Sequence, residues 1–155
     1  MKKTLLLLLT VFCLASCNNN DNDDPQSSDL LVGTWTELGY GTVSDTGDVQ
    51  FFEYDYFCVT LGRFAFEADG TFRVETFDGP DNNCVSTGVI TGTWEKTSGN
   101  LYLITILTDS SVDDPLTGEQ TTIPIEFPTN NRMRFIYQID ENGIDYEYEE
   151  FTRLN

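Results

Sequence analysis

Alternation of apolar and polar residues with a period of two runs through nearly the whole chain after Leu30. Successive side chains of a β-strand point to opposite faces, so this pattern predicts strands, whereas helices repeat every 3.6 residues. The spacing gives no amphipathic helix of useful length. The chain is therefore predicted to be all-β, a single antiparallel up-and-down β-barrel of about eight strands joined mostly by short hairpins.

The predicted strands are not equally well marked. The segment 50–60 is rich in aromatic residues and fits either a strand or a long packed excursion. Pro124 cannot donate a ladder hydrogen bond, so it marks an edge, a bulge or a barrel seam. The predicted strands cover residues 32–40, 64–67, 72–75, 85–95, 101–107, 122–127, 132–139 and 144–153, with loops at 41–48 and 108–118.

The sequence predicts the strand register of two hairpins. A three-residue loop, 68–70, opposes Phe66 to Phe72 and keeps the aromatic residues on one face, with Gly70 left-handed. In the last hairpin, a turn at 140–143 places the aromatic residues inside and the charged residues outside. The expected inner face is Met133, Phe135, Tyr137, Ile139, Ile144, Tyr146 and Tyr148; the outer face sets Arg132 and Arg134 opposite Asp145, Glu147 and Glu149.

The N-terminus has the features of an export signal. Lys2 and Lys3 precede an apolar stretch that is too short to span a bilayer but fits a signal peptide, residues 1–16. The stretch ends in Leu14-Ala15-Ser16-Cys17, which resembles the bacterial lipobox, in which the cysteine thiol receives a lipid. An ordinary secretory signal with an accidental cysteine is the alternative. Lipidation at Cys17 would anchor the protein in the cell envelope, at the outer membrane.

Residues 17–29 follow as a polar, acidic stretch without apolar residues, which predicts a disordered linker. Its acidic run resembles the surface-export signal of some lipoproteins, although a plain solvated linker fits equally. The folded domain is then residues 30–155. Its oligomeric state is left open.

The charge of the chain limits its partners. Twenty-six acidic residues face eight basic ones, and loss of Lys2 and Lys3 with the signal would leave a net charge of −20. Such a charge repels nucleic acid and anionic lipid headgroups. With no histidine in the chain, histidine-based triads and most zinc sites are excluded, and no cofactor or metal is expected.

Cys58 and Cys84 are the two cysteines left after the signal peptide and the acylated residue. In an oxidising exported compartment an even pair predicts a disulfide. A catalytic thiol is the alternative, but no histidine is present to activate it.

Three short motifs support a family resemblance. Gly33-Thr34-Trp35 opens the first strand, residues 66–72 form the central hairpin, and Gly92-Thr93-Trp94 precedes a new strand. Together they resemble the lipocalin-like domain of bacterial lipoproteins, over roughly residues 30–154. The resemblance implies that Trp35 packs at the closed end of the barrel against Arg153, in a structural role.

That resemblance makes a binding module the leading hypothesis, with a small apolar or amphipathic ligand inside the barrel. Inward aromatic residues are the candidate walls, although they fit a solid core equally well. An enzyme is not expected, since nothing marks two carboxylates as desolvated for glycoside hydrolysis. A third reading is a surface structural or interaction protein, whose loop residues Asp109, Asp113 and Asp114 would bind calcium weakly or be solvated. The candidate wall residues are Phe64, Phe66, Phe72, Phe135, Tyr137, Tyr146 and Tyr148.

Overall fold

The computed structural model describes residues 29–80, 83–110, 116–141 and 143–155. Within these ranges the chain forms nine strands and one short 3-10 helix, without an α-helix. The strands are β1 (Gly33–Ser44), β2 (Val49–Glu53), β3 (Arg63–Phe66), β4 (Thr71–Asp78), β5 (Val85–Ser98), β6 (Leu101–Asp109), β7 (Gln120–Thr129), β8 (Arg132–Glu141) and β9 (Ile144–Arg153), and the 3-10 helix is Val59–Leu61.

The strands close into a ring of eight. From β3 to β9 each strand pairs with the next, and β1 pairs with β3 on one side and β9 on the other, all antiparallel. The predicted up-and-down β-barrel is therefore confirmed. The ninth strand, β2, pairs with the second half of β1. It lies on the same edge of β1 that β3 occupies along the first half of β1.

The predicted end of the first strand was wrong. This strand runs on to Ser44 through the segment expected to be a loop, and the turn is confined to residues 45–48. Side-chain hydrogen bonds hold that turn, including one of 2.9 Å from the Thr46 hydroxyl to Asp48. The aromatic segment 50–60 combines both alternatives, since β2 is followed by an irregular stretch and the 3-10 helix.

The hairpin between β3 and β4 has the predicted register. Phe66 opposes Phe72, Phe64 opposes Val74, and Gly70 is left-handed with φ 81°. The side chains of Phe64, Phe66 and Phe72 consequently face the barrel interior. The prediction succeeded because only this loop length keeps them on one face.

One end of the barrel is closed by Trp35, which is fully buried. Its indole N–H donates to the Leu31 carbonyl (2.9 Å), and the Arg153 guanidinium lies 4.1 Å from the ring centre. Arg153 also donates to the Val32 and Leu30 carbonyls (2.7 and 2.6 Å). The guanidinium closes this end with its face on an aromatic ring and its N–H groups donating to backbone oxygens, so its donors are satisfied.

The interior next to this plug is solidly packed. Its buried members come from most strands of the ring, and their side chains fill the space between the walls. They are Leu31, Trp35, Phe66, Phe72, Tyr102, Ile104, Ile125, Met133, Phe135 and Phe151.

The last hairpin differs from the prediction by one residue. Phe135 opposes Glu149, not Tyr148, and Tyr137 opposes Glu147, with a register shift between Gln138 and Glu141. A one-residue slip moves every side chain to the opposite face. The inner face of β9 therefore carries Glu147, Glu149 and Phe151, and its outer face Tyr146, Tyr148 and Glu150.

Candidate functional site

The barrel wall opens between β7 and β8. These strands pair at Ile125–Phe135 and Glu126–Arg134, but no pair is described between residues 120–124 and 136–141. Ile125 donates its N–H to Asn100 next to β6, so the neighbouring position, Pro124, faces β8. Because proline has no N–H to donate there, the ladder stops, and the predicted edge or seam at Pro124 is confirmed.

A cavity of about 590 Å³ lies at this opening, which we call the slot. Its walls combine apolar side chains with a few polar ones, and the volume suits a small organic molecule, for which pockets measure roughly 300–1,000 Å³. The lining residues are Leu101, Thr121, Thr122, Ile123, Pro124, Ile136, Tyr137 and Gln138.

Two glutamates lie on the inner face beyond the packed core. Glu37 pairs with the core residue Phe151, and Glu149 pairs with Phe135 and Tyr40. A β-bulge between Glu37 and Gly39 brings Tyr40 to the inner face, where strict alternation would place it outside. The carboxylates are thus neighbours inside the barrel.

Three tyrosines lie near the two carboxylates: Tyr40 pairs with Glu149, and the charges of Glu37 and Glu149 affect Tyr54 and Tyr137. The Tyr137 hydroxyl donates to Glu149 Oε2 at 3.1 Å, and the Tyr40 and Tyr54 rings lie 5.9 Å apart. Since Tyr137 also lines the slot, the slot and the carboxylates share one residue. We refer to Glu37, Glu149, Tyr40, Tyr54 and Tyr137 as the inner polar cluster.

Burial alters the ionisation of this cluster. Desolvation, with a smaller contribution from the charge of Glu149, raises the pKa of Glu37 from 4.5 to about 7. Desolvation also raises the pKa of Glu149, and the Tyr137 hydrogen bond opposes part of that rise. The pKa of Tyr137 is raised by burial and by the nearby carboxylates, so its hydroxyl remains a donor.

None of the six basic residues after Lys3 neutralises these carboxylates. All six lie within the described ranges, and each is bound elsewhere. Arg63 donates to the backbone carbonyls of residues 60–62, Arg73 pairs with Glu75, Lys96 with Asp29, Arg132 and Arg134 with Glu150, and Arg153 closes the barrel end.

The candidate wall residues fall into three groups. Phe64, Phe66, Phe72 and Phe135 face inward but belong to the packed core, so they do not line an open cavity. Tyr137 lines the slot. The remaining two, Tyr146 and Tyr148, were predicted on the inner face, and this prediction was wrong.

Tyr148 is instead buried on the outer face of the barrel. Its ring lies 4.3 Å from the Arg134 guanidinium and is stacked with Phe51 at 6.4 Å. It crosses over Gly41, where a Cβ atom would collide with the Tyr148 ring. The Tyr148 hydroxyl is buried and has no hydrogen-bond partner among the described residues.

Replacing Tyr148 with phenylalanine is therefore expected to leave the free energy of unfolding unchanged or to raise it by up to about 1 kcal/mol. The matched control is Tyr102→Phe, because the Tyr102 hydroxyl donates to Asp29 at 2.8 Å. That variant should lose about 1 kcal/mol in urea unfolding. A loss of that size in Tyr148→Phe would mean that its hydroxyl has a partner after all.

The raised pKa of Glu37 also makes a prediction about pH. The folded chain keeps this proton up to about pH 7, whereas the unfolded chain releases it near 4.5, so the contribution of Glu37 to stability falls as pH rises between these values. Glu37→Gln should remove that fall and exceed the parent in stability at pH 8 by about 2 kcal/mol, allowing for partial exposure.

Urea unfolding of both proteins at pH 5 and pH 8 measures this difference. Glu95→Gln removes the same charge from an exposed outer position and should behave like the parent at both pH values. A Glu37→Gln advantage that does not grow between pH 5 and pH 8 would contradict the account of Glu37.

The structure describes only some of the other predicted sites. The disulfide between Cys58 and Cys84 is confirmed, with their Cα atoms 5.4 Å apart. Residues 1–16 and Cys17 lie outside the described residues, as do Asp113 and Asp114 of the acidic loop.

Asp29, expected to end the disordered linker, is instead bonded to the barrel through Lys96 and Tyr102. The described ranges hold no group of three metal-ligating side chains. They also contain no helix with the length and apolar character needed to cross a bilayer.

The fold and the slot define a small up-and-down β-barrel with an opening in its wall. No family model matches the chain, and no curated protein sequence matches it. Among solved structures, a redesigned β-barrel is similar over 83% of this chain and 95% of its own, at 14% identity and a TM-score of 0.42. A de novo designed fluorescence-activating β-barrel is similar over 82% and 96%, at 14% identity and a TM-score of 0.37.

Proposed function

We propose that this protein is an exported lipoprotein whose barrel binds one small amphipathic molecule through the slot between β7 and β8. The observation that carries this proposal is the interrupted ladder at Pro124, because it opens the wall onto a cavity of about 590 Å³. Apolar side chains such as Ile123 and Ile136 would contact the apolar part of the ligand. The inner polar cluster would contact its polar part.

The packing of the barrel supports a ligand site in the slot only. The half next to Trp35 is filled by the core, so a ligand has no room there. The resemblance to lipocalin-like domains of bacterial lipoproteins agrees with this reading, with Trp35 and Arg153 closing the opposite end.

We propose binding rather than hydrolysis for the paired carboxylates. A glycoside hydrolase needs one carboxyl group held protonated and the other held ionised, which requires environments that move their pKa values apart. Here burial raises the pKa of both Glu37 and Glu149. Both shifts have the same direction and the same main cause, so they do not mark one group as the acid and the other as the base, and we favour a non-enzymatic role.

The envelope location is part of the proposal. A disulfide between Cys58 and Cys84 suits an oxidising compartment outside the cytoplasm. The lipobox at Leu14–Cys17 would supply the anchor, and residues 18–28 the polar spacer to the barrel. We propose an outer-membrane lipoprotein, displayed at the surface if the acidic run acts as an export signal.

Metabolic labelling with a palmitate analogue tests the anchor. The parent chain should incorporate the label and fractionate with membranes, and Cys17→Ser should do neither. A Cys17→Ser protein that still carries the label would place the lipid elsewhere.

Binding in the slot is tested with the neutral fluorophore N-phenyl-1-naphthylamine and the mature chain, residues 17–155 with Cys17 replaced by serine. We expect saturable binding to one site. The fluorophore is excited at a wavelength outside the tryptophan absorption band. Thr121→Trp would fill the slot and should abolish binding, whereas Thr93→Trp, an exposed position on β5, should not. Binding that survives Thr121→Trp would place the site elsewhere.

A solid scaffold that binds another protein is the second candidate. It is favoured by β2, all of whose residues are exposed, including Val49, Phe51 and Phe52. An exposed apolar strand is a common feature of interaction surfaces. Absence of any saturable probe binding to the parent chain would favour this candidate.

A further inference from the structure

We infer that the molecule bound in the slot is an organic ammonium ion, whose positive nitrogen lies between Glu37 and Glu149 while its apolar part occupies the slot. This inference rests on the proposed binding function and names its ligand class. It follows from the charges, the rings and the geometry of the barrel interior.

The charges inside the barrel favour a cation. Two carboxylates share the interior, and every lysine and arginine after Lys3 has its partner elsewhere in the described structure. A partly buried carboxylate without a cation is destabilising, and a second one beside it adds repulsion. A bound cation would relieve both effects, whereas a neutral or anionic ligand would not.

The side chains near the carboxylates have the chemistry to bind an ammonium group. Carboxylate oxygens accept hydrogen bonds from an ammonium group, and Glu37 has no hydrogen-bond or ion-pair partner within the described residues. Tyr40 pairs with Glu149, and Tyr54 lies within the electrostatic reach of Glu37 and Glu149; aromatic rings of this kind attract cations through their faces. Glu149 is held in place by the Tyr137 hydroxyl.

Tyr137 connects the slot to Glu149. Tyr137 lines the slot with one part of its side chain and holds Glu149 with its hydroxyl. The slot therefore places apolar side chains such as Ile123 and Ile136 next to a residue that is bonded to a carboxylate, which suits an amine with a hydrocarbon or aromatic tail. A bare metal ion would leave the apolar walls unused, and fewer than three metal-ligating side chains come together in the described ranges.

Calorimetric titration with 2-phenylethylamine and its neutral analogue 2-phenylethanol tests this inference on the mature chain with Cys17→Ser. The amine should bind at least about tenfold more tightly at pH 8, as expected for hydrogen bonds to a charged group. Glu37→Gln and Glu149→Gln should each remove most of that preference. Glu95→Gln, on the exposed outer face of β5, is the control with the same loss of charge and should keep it.

Acidification supplies a second readout. The groups that face Glu37 are Glu149, Tyr40, Tyr54 and Tyr137, with Glu147 further out on the inner face of β9. Protonation of the two carboxylates below neutral pH would weaken binding of the amine but not of the alcohol. The preference for the amine should therefore decline from pH 8 to pH 5, and less so in Glu37→Gln.

The outcomes separate this inference from the function on which it rests. Equal affinity for amine and alcohol, with the neutral fluorophore still bound, would overturn the ammonium assignment and leave the binding function standing. Calcium ions that displace the amine competitively would point to a metal site and also overturn it. No binding of any probe would overturn both proposals. Circular dichroism of each variant confirms that it is folded.

Discussion

Gly92→Ala is expected to reduce the free energy of unfolding by about 3 kcal/mol or more. Gly92 lies opposite Phe72 on the inner face, and a Cβ atom there would collide with the Thr105 carbonyl oxygen and approach the Phe72 ring to 2.5 Å. The carbonyl belongs to the β5–β6 ladder and cannot rotate away, and the ring is packed in the core. Urea unfolding followed by far-ultraviolet circular dichroism measures the loss.

Thr93→Ala is the matched control for this substitution. Thr93 follows Gly92 on the same strand but is exposed, so Thr93→Ala should lower the free energy of unfolding by no more than about 1 kcal/mol. A similarly small loss in Gly92→Ala would mean that the interior at this level has room for a methyl group. The description of this half of the barrel as solid would then be wrong.

Removal of the disulfide is expected to lower the free energy of unfolding by about 3 kcal/mol. The bond joins residues separated by 26 positions and links the segment after β2 to the loop after β4. On the chain-entropy account, losing it enlarges the conformational freedom of the unfolded chain. Cys58→Ala/Cys84→Ala should show this loss in urea unfolding.

Reductant provides an independent check of the same bond. Dithiothreitol should lower the unfolding midpoint of the parent chain to that of the double variant, and it should not change the double variant. A parent chain that is insensitive to reductant under unfolding conditions would contradict a stabilising cross-link between Cys58 and Cys84.

The sequence predicts the barrel well because most of its strands alternate cleanly. The hairpin of β3 and β4 could be assigned a register since its aromatic residues share one face for only one loop length. Pro124 could be recognised as a break in the ladder from its chemistry alone. These features follow from local rules that can be applied to the sequence alone.

The last hairpin shows where such rules fail. Both faces of β9 carry large side chains, with Tyr146 and Tyr148 alternating with Glu147 and Glu149. Hydrophobicity alone favours the tyrosines inside. The register shift between Gln138 and Glu141 reverses the two faces, and Arg134 and Phe51 then cover Tyr148 outside.

The candidate site was missed for the same reason. Glu37 has the same parity as Trp35, which could have indicated an inward carboxylate, but Tyr40 reaches the interior only because of the bulge after Glu37. Tyr54 joins them from the irregular segment that the pattern left ambiguous. A bulge and a register shift both depart from the period-two pattern, so that pattern could not predict a site that depends on them.

Methyl-resolved nuclear magnetic resonance tests most directly whether the slot binds a small molecule, with residues 17–155 carrying Cys17→Ser titrated with 2-phenylethylamine. We predict that the methyl signals of Ile123 and Ile136, which line the slot, shift with saturation. Those of Leu31 and Met133, in the packed core, should remain in place. Saturable shifts confined to residues outside the slot, or no saturable shift at all, would contradict binding in the slot.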